Sequence, residues 1–197
     1  MATYHAIAAA GQAILGLLAD ARPKPEFAGA EFELYQPSNF QKPMSEGISL
    51  FLYRVNVNLG QRNQSSRPRA DGQRPLRPLP LDLHYMLTPW AATAARQQRL
   101  LGWAMRTLED APILDAGYLN HYGPEPGIFL DSETLELTHD PISLQDMVNI
   151  WDVFKPNQQL SVTYLARMVS IESQLGTPDF EPVQTRVFEI GQAAERK

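Results

Sequence analysis

The residues with the clearest chemical potential are Asp82 and His84, inside the apolar stretch LPLDLHYMLTPW at 79–90. An imidazole and a carboxylate two positions apart could supply half of a metal site or an acid–base pair. Side chains alternate between the two faces of a strand, so both would lie opposite Leu83 and Tyr85. The regular apolar face is typical of an ordinary sheet strand whose other face is half exposed. Alternatively, a helix or a neighbouring subunit covers the face that carries Asp82 and His84.

The other candidates for chemistry are weaker. The remaining histidines, His5, His121 and His139, lack the i, i+4 pairing or acid cluster of a metal site, and they are predicted to be surface or loop residues. The chain has no cysteine, no G-x-S-x-G elbow and no complete phosphate-binding loop. We therefore predict that it is not an enzyme and holds no cofactor or metal. A metal-dependent hydrolase built on the Asp–His pair is the distant alternative.

Composition limits the classes of partner. The 197 residues, 44% of them hydrophobic, predict a single domain spanning 1–197. A net charge of −5 and a pI near 5.4 argue against a nucleic-acid binder. The apolar run at 6–19 lacks a basic leader and is too short to cross a bilayer, so we expect an amphipathic helix and no membrane partner.

An arginine-rich segment separates two predicted strands. Between residues 60 and 78, five arginines accompany one acid, Asp71, and apolar residues are nearly absent. This composition predicts a long loop over 62–77, and loops of that length are usually functional or disordered. The alternatives are a solvated loop and a docking site for an acidic partner, since guanidinium groups pair well with carboxylates. The predicted protein-interface residues are Arg62, Arg67, Arg69, Arg74, Arg77 and, near the end of the chain, Arg186.

The periodicity of apolar residues predicts an α+β fold with grouped strands. The run from Ile48 to Tyr53 is apolar on both sides, which indicates a central strand covered on both faces. Ser143 before an apolar stripe is a helix N-cap signal. The predicted helices are 3–21, 93–110 and 142–154; the predicted strands are 31–36, 48–59, 79–90, a hairpin of 128–130 with 135–138, 160–171 and 183–190; residues 192–197 are expected to fray.

The order of these segments resembles a known family. SLFLYRVNVNLGQRN, an Arg/Pro-rich loop, PLPLDLHYMLTPW and QQRLLGWAMRTLEDAPIL are followed by ISLQDMVNIWDVF and LSVTYLARMVSIES. Together, over roughly residues 5 to 190, they resemble the cap or tail terminator proteins of phage-tail-like extracellular contractile injection systems. The resemblance implies a tail-terminator-like mixed or antiparallel sheet with flanking helices.

The same resemblance implies a structural role. Such caps form a homohexameric ring that binds the last rings of the inner tube protein and the sheath protein and ends polymerisation. Assembly in the cytoplasm, followed by residence in the particle, is then expected. Some relatives carry an extra C-terminal portion, to which the resemblance does not extend. Another phage-tail-like completion or sheath-adaptor protein is the alternative within this class.

Two contacts in such a ring are expected from the sequence. Strand addition between neighbouring subunits would use the terminal strand 183–190. The arginine-rich loop would dock on acidic rims of tube or sheath.

Overall fold

The fold is built on one six-stranded sheet. The computed structural model describes residues 2–62, 76–154, 158–173 and 175, without the side chain of Met168. The strands are β1 (Glu31–Tyr35), β2 (Gly47–Val57), β3 (Leu79–Trp90), β4 (Ile113–Asp115), β5 (Thr134–His139) and β6 (Val162–Ile171). The helices are α1 (Ala6–Ala21), α2 (Ala94–Asp110), α3 (Ala116–Tyr122) and α4 (Leu144–Phe154), with a short 3₁₀ helix at Pro37–Gln41.

The sheet is mixed, and its strand order is β1-β2-β3-β6-β5-β4. The strand β1 runs parallel to β2, while every other pair is antiparallel. This confirms the predicted class, a mixed sheet with flanking helices. Among the described residues, the two edge strands are β1 and the three-residue β4. In the part of the chain that the structure describes, no helix is long and apolar enough to cross a membrane.

The main core lies between one face of the sheet and the helices α1, α2 and α3. From the sheet, Leu83, Tyr85 and Leu87 of β3 are buried there beside Ile48 and Leu50 of β2. The helix α1 presents small residues to this core, which lets its backbone approach the strands closely; the buried ones are Ala6, Ala9, Ala10, Gly11, Ala13 and Gly16.

A second, aromatic core covers part of the opposite face. Here Met86 and Trp90 of β3 pack beneath Phe40 of the 3₁₀ helix and Trp151 and Phe154 of α4. The rings of Phe40 and Phe154 stack with centroids 4.4 Å apart, and Trp151 meets both edge-on. Because β2 also sends Phe51 and Tyr53 to this side, the expectation of a doubly covered strand from Ile48 to Tyr53 is confirmed.

The structure corrects the predicted elements between β3 and α4. No hairpin joins 128–130 to 135–138 in the described residues: the second segment belongs to β5, which pairs with β4 and β6. The buried segment at Ile128 and Phe129 is instead held by the Asn120 side chain, which bonds both the N–H and the C=O of Phe129. The expectation that His121 and His139 are loop residues is wrong. The first lies in the last turn of α3, and the second ends β5.

Helix α4 begins as its capping signal predicts. Ser143 Oγ accepts from the Asp146 backbone N–H at 3.1 Å, and the helix starts at Leu144. Helix α1 starts at Ala6, three residues later than predicted, with His5 at the N-cap position. The predicted strand 183–190 and the tail 192–197 lie outside the described residues.

Candidate functional site

Asp82 and His84 lie on the same face of β3, but they contact different partners. Asp82 Oδ1 accepts from Asn58 Nδ2 at 3.0 Å. His84 Nδ1 lies 2.8 Å from Oδ2 of Asp140, the residue that follows β5. His84 is only 6% exposed, so the expectation of a half-exposed position is wrong for this residue. The cover comes from neighbouring polar side chains of the same chain.

A β-bulge in β2 creates this arrangement. Leu52 pairs with Tyr85 and Arg54 pairs with His84, so Tyr53 is an extra residue. The bulge brings Arg54 Nη2 to 3.3 Å from His84 Nε2 and places Asn56 Nδ2 at 3.3 Å from the same atom. Since Nδ1–H donates to Asp140, Nε2 is the acceptor for these donors.

The polar network, defined as Arg54, Asn56, His84 and Asp140, therefore uses both ring nitrogens internally. Asp140 is itself fixed, because its N–H donates to the Thr163 carbonyl at 3.0 Å and its C=O accepts from the Thr163 hydroxyl. Within the described residues, no group of three or more His, Asp or Glu is placed to hold a metal ion. The geometry is that of a hydrogen-bonded structural network, which leaves the hydrolase alternative without support.

The two described arginines of the predicted interface are exposed at the ends of the loop. Arg62 follows β2 and Arg77 precedes β3. Neither forms an ion pair with another described residue. The other four predicted interface residues lie outside the described residues: Arg67, Arg69, Arg74 and Arg186.

The end of the β2–β3 hairpin exposes an apolar surface that sequence analysis did not single out. Val55 and Val57 pair with Leu83 and Leu81, so they continue the helix-facing side of the sheet past the cover of the helices. We call the exposed set the hairpin patch: Val55, Val57, Leu59, Leu76 and Leu79, between 40% and 70% exposed. The alternation of Val55, Val57 and Leu59 was visible in the sequence, but their exposure depends on where the helices end.

A second surface lies beside the edge strand β1. An open groove of about 540 Å³ runs between α1 and β1, lined by Gln12, Leu15, Gly16, Ala19, Phe32, Glu33, Leu34 and Tyr122. We call it the α1–β1 groove. At one end of the groove, the Tyr122 hydroxyl donates to the Asp20 carboxylate. This hydrogen bond raises the pKa of Tyr122. Gln12 Oε1 is buried with no hydrogen-bond partner among the described atoms.

The strand β1 beside the groove carries two acidic side chains. Glu31 and Glu33 of β1 are exposed, and neither forms an ion pair with a described residue. Since β1 is an edge strand of the described sheet, no described residue pairs with its outer backbone groups. The molecule therefore carries an apolar surface flanked by arginines and an apolar groove bordered by an acidic strand.

Comparison with known proteins identifies one family model and two solved structures of similar fold. The model of the Pvc16 N-terminal domain family matches residues 10–185. The fold is similar to the sheath/tube terminator of an extracellular contractile injection system, PVC, in its extended state (TM-score 0.63, 17% identity, 96% of this chain and 65% of that one). It is also similar to the tube-terminating cap of the anti-feeding prophage (TM-score 0.60, 15% identity, 90% of this chain and 59% of that one).

These structural relatives are longer than the chain described here. The chain spans about three-fifths to two-thirds of their length. No curated protein sequence matches it.

Proposed function

The chain belongs to the Pvc16 N-terminal domain family, and from that premise we propose that it is the cap of a contractile injection particle. In this role it binds the distal end of the inner tube and the sheath and ends their polymerisation. The observation that carries the proposal is the likeness of nearly the whole chain, 96% of it, to a sheath/tube terminator.

The proposed mechanism is structural and follows from symmetry. A helical tube stops growing when its last ring meets a subunit that matches its rotation and offers no further growth surface. A closed ring of identical copies, joined head to tail, provides such an end. We propose a homohexamer for this ring, with the inner tube protein and the sheath protein as its partners on the same side.

The absence of an enzymatic role is part of the proposal. His84 is the histidine best placed for chemistry. Both of its ring nitrogens are hydrogen-bonded, one to Asp140 and the other to Arg54 and Asn56. A buried and fully bonded imidazole of this kind stabilises a sheet rather than transferring protons to a substrate. The cap is proposed to assemble with the particle in the cytoplasm and to remain part of it.

The test is particle morphology after deletion of the gene for this chain in the cell that makes the particle. We expect tubes and sheaths of irregular length or low stability, and restoration by a plasmid-borne copy. Particles of normal length, yield and sheath state in the deletion strain would overturn the proposal.

A labelled chain separates a cap from other tail components. Gold particles directed to an affinity tag should mark the end opposite the baseplate in negative-stain images. Label at the baseplate end, or along the sheath, would instead identify a tail-completion or sheath-adaptor protein.

A further inference from the structure

We infer that neighbouring copies of this chain associate by docking the hairpin patch of one copy into the α1–β1 groove of the next. The inference rests on the proposed function only for closure of the ring. The contact itself is argued from the two surfaces and holds for any head-to-tail assembly of this chain.

The hairpin end is shaped to reach another subunit. The strand β1 pairs with β2 only as far as Phe51, and from Leu52 to Val57 the described neighbour of β2 is β3 alone. The hairpin therefore extends beyond the first edge strand as an arm, which is open along β2 and stays paired along β3 with β6 as far as Leu79. Its apolar side chains include Leu59, 70% exposed, next to the turn. Contiguous exposed apolar residues of this kind mark protein interaction sites.

The groove matches that arm in its chemistry. Leu15, Phe32 and Leu34 supply apolar walls, and the volume of about 540 Å³ accommodates several valine or leucine side chains. Gly16 lets the Tyr122 ring pack against α1 beside the groove, because a methyl group there would come within 2.5 Å of that ring. A donor from the incoming arm would also satisfy the buried Oε1 of Gln12.

Opposite charges on the two rims fix the direction of docking. Arg62 and Arg77 flank the hairpin patch, whereas Glu33 is among the residues lining the groove and Glu31 lies on the same edge strand. None of these four side chains forms an ion pair within the described residues. Two hairpin patches brought together would oppose arginines to arginines, so a head-to-tail contact is favoured over a symmetric one.

Disulfide trapping tests this contact cleanly, because the chain has no cysteine of its own. The variants are Leu59→Cys in the hairpin patch and Leu34→Cys in the groove, purified as full chains, mixed and oxidised at high concentration. We expect at least five-fold more cross-linked dimer in the mixture than in either variant alone. A chain carrying both substitutions should give a ladder of linked copies.

A matched control uses an exposed position on another surface. Val153 of α4 is 74% exposed, so Leu59→Cys mixed with Val153→Cys reports random collision. If Leu34→Cys perturbs folding, Ala19→Cys, at an exposed helical position lining the same groove, takes its place. A mixture that cross-links no better than the control overturns the inference. Strong cross-linking of Leu59→Cys with itself also overturns it, because it shows patch-to-patch contact.

Charge reversal tests the direction of docking independently. The pair Arg62→Glu with Arg77→Glu, or Glu31→Lys with Glu33→Lys, should reduce the cross-linked fraction several-fold. Mixing the two reversed chains, with the cysteines on the matching surfaces, should restore it. Failure to restore it contradicts the proposed pairing of the rims.

The two proposals fail in different ways. Head-to-tail cross-links together with normal particles in the deletion strain would remove the cap function and keep the contact. Defective particles together with no cross-links above the control would remove the contact and keep the cap function.

Discussion

The two halves of the β2–β3 pair differ in what covers them. Around Tyr85 to Trp90, β3 is buried on both faces, by α1 and α2 on one side and by the aromatic core on the other. Around Leu79 to His84, Leu81 and Leu83 still belong to the main core, but their β2 partners Val57 and Val55 are exposed in the hairpin patch, and the other face carries the polar network. The strand pairing continues through both halves. The first half therefore supplies stability, and the second offers surface for a partner.

The largest expected effect comes from removing one large ring from the aromatic core of the covered half. Trp151 is 1% exposed and meets Phe40 and Phe154 edge-on. We expect Trp151→Ala to lower the free energy of unfolding by about 3–5 kcal/mol, because a large cavity replaces the indole. Urea unfolding followed by circular dichroism measures the change. Val153→Ala on the same helix, at a 74% exposed position, should change it by less than about 0.5 kcal/mol.

The paired strands β2 and β3 were also the easiest part of the fold to predict. Ile48–Tyr53 and the whole of Leu79–Trp90 are long, strongly apolar strands, and such patterns determine both element type and burial. The segment 113–139 was mispredicted because its strands are short and polar. There β5 is placed by pairing with β4 and β6, and Phe129 by the Asn120 amide, which are contacts between residues distant in the chain.

The next effect tests whether the polar network stabilises the other half. Asp140→Ala leaves Nδ1–H of the buried His84 without its acceptor, so we expect a loss of about 1–3 kcal/mol in the free energy of unfolding. Asp140→Asn keeps an oxygen at that position and should recover most of the loss. Both variants keep the bond from Thr163 to the residue 140 carbonyl, so the pair isolates the side chain. Equal, near-zero changes would mean that the network contributes nothing.

The candidate site shows where sequence reasoning stops. Asp82 and His84 were correctly placed on one face, because the strand period of two fixes that. Their partners were not predictable: Tyr53 forms a bulge that shifts the register, and Asp140 reaches His84 from β5. The groove was missed for the same reason, since it is shared by α1, β1 and α3.

Alkaline pH tests how completely the tyrosines of the covered half are buried. Burial raises the pKa of Tyr85 far above its usual value near 10, and it raises that of Tyr53 as well. A raised folded-state pKa gives stability that is complete below about pH 10 and is lost as pH rises further. Above that pH, the free energy of unfolding should fall less steeply for Tyr85→Phe than for the parent. The difference between the two slopes should be about 1.4 kcal/mol per pH unit.

Tyr53→Phe is the matched variant at the β2 bulge, where the covered half ends. Its change of slope should be smaller, because its ring is only partly buried. Urea titrations at pH 9, 10 and 11 measure both slopes. A Tyr85→Phe variant with the parent's pH dependence would contradict the burial that defines the covered half.

The smallest expected effect on stability belongs to the hairpin patch, and it sharpens the comparison most. Val57 is 40% exposed and Leu59 is 70% exposed, so Val57→Thr with Leu59→Ser should cost less than about 1 kcal/mol in unfolding free energy.

The monomer gains little stability from these two side chains, yet their apolar surface becomes buried if copies associate through the hairpin patch. The same double variant should therefore associate several-fold more weakly in sedimentation equilibrium while melting within a few degrees of the parent. A large loss of stability would mean that the patch belongs to the monomer's own core, and the division between a stabilising half and a docking half would not hold.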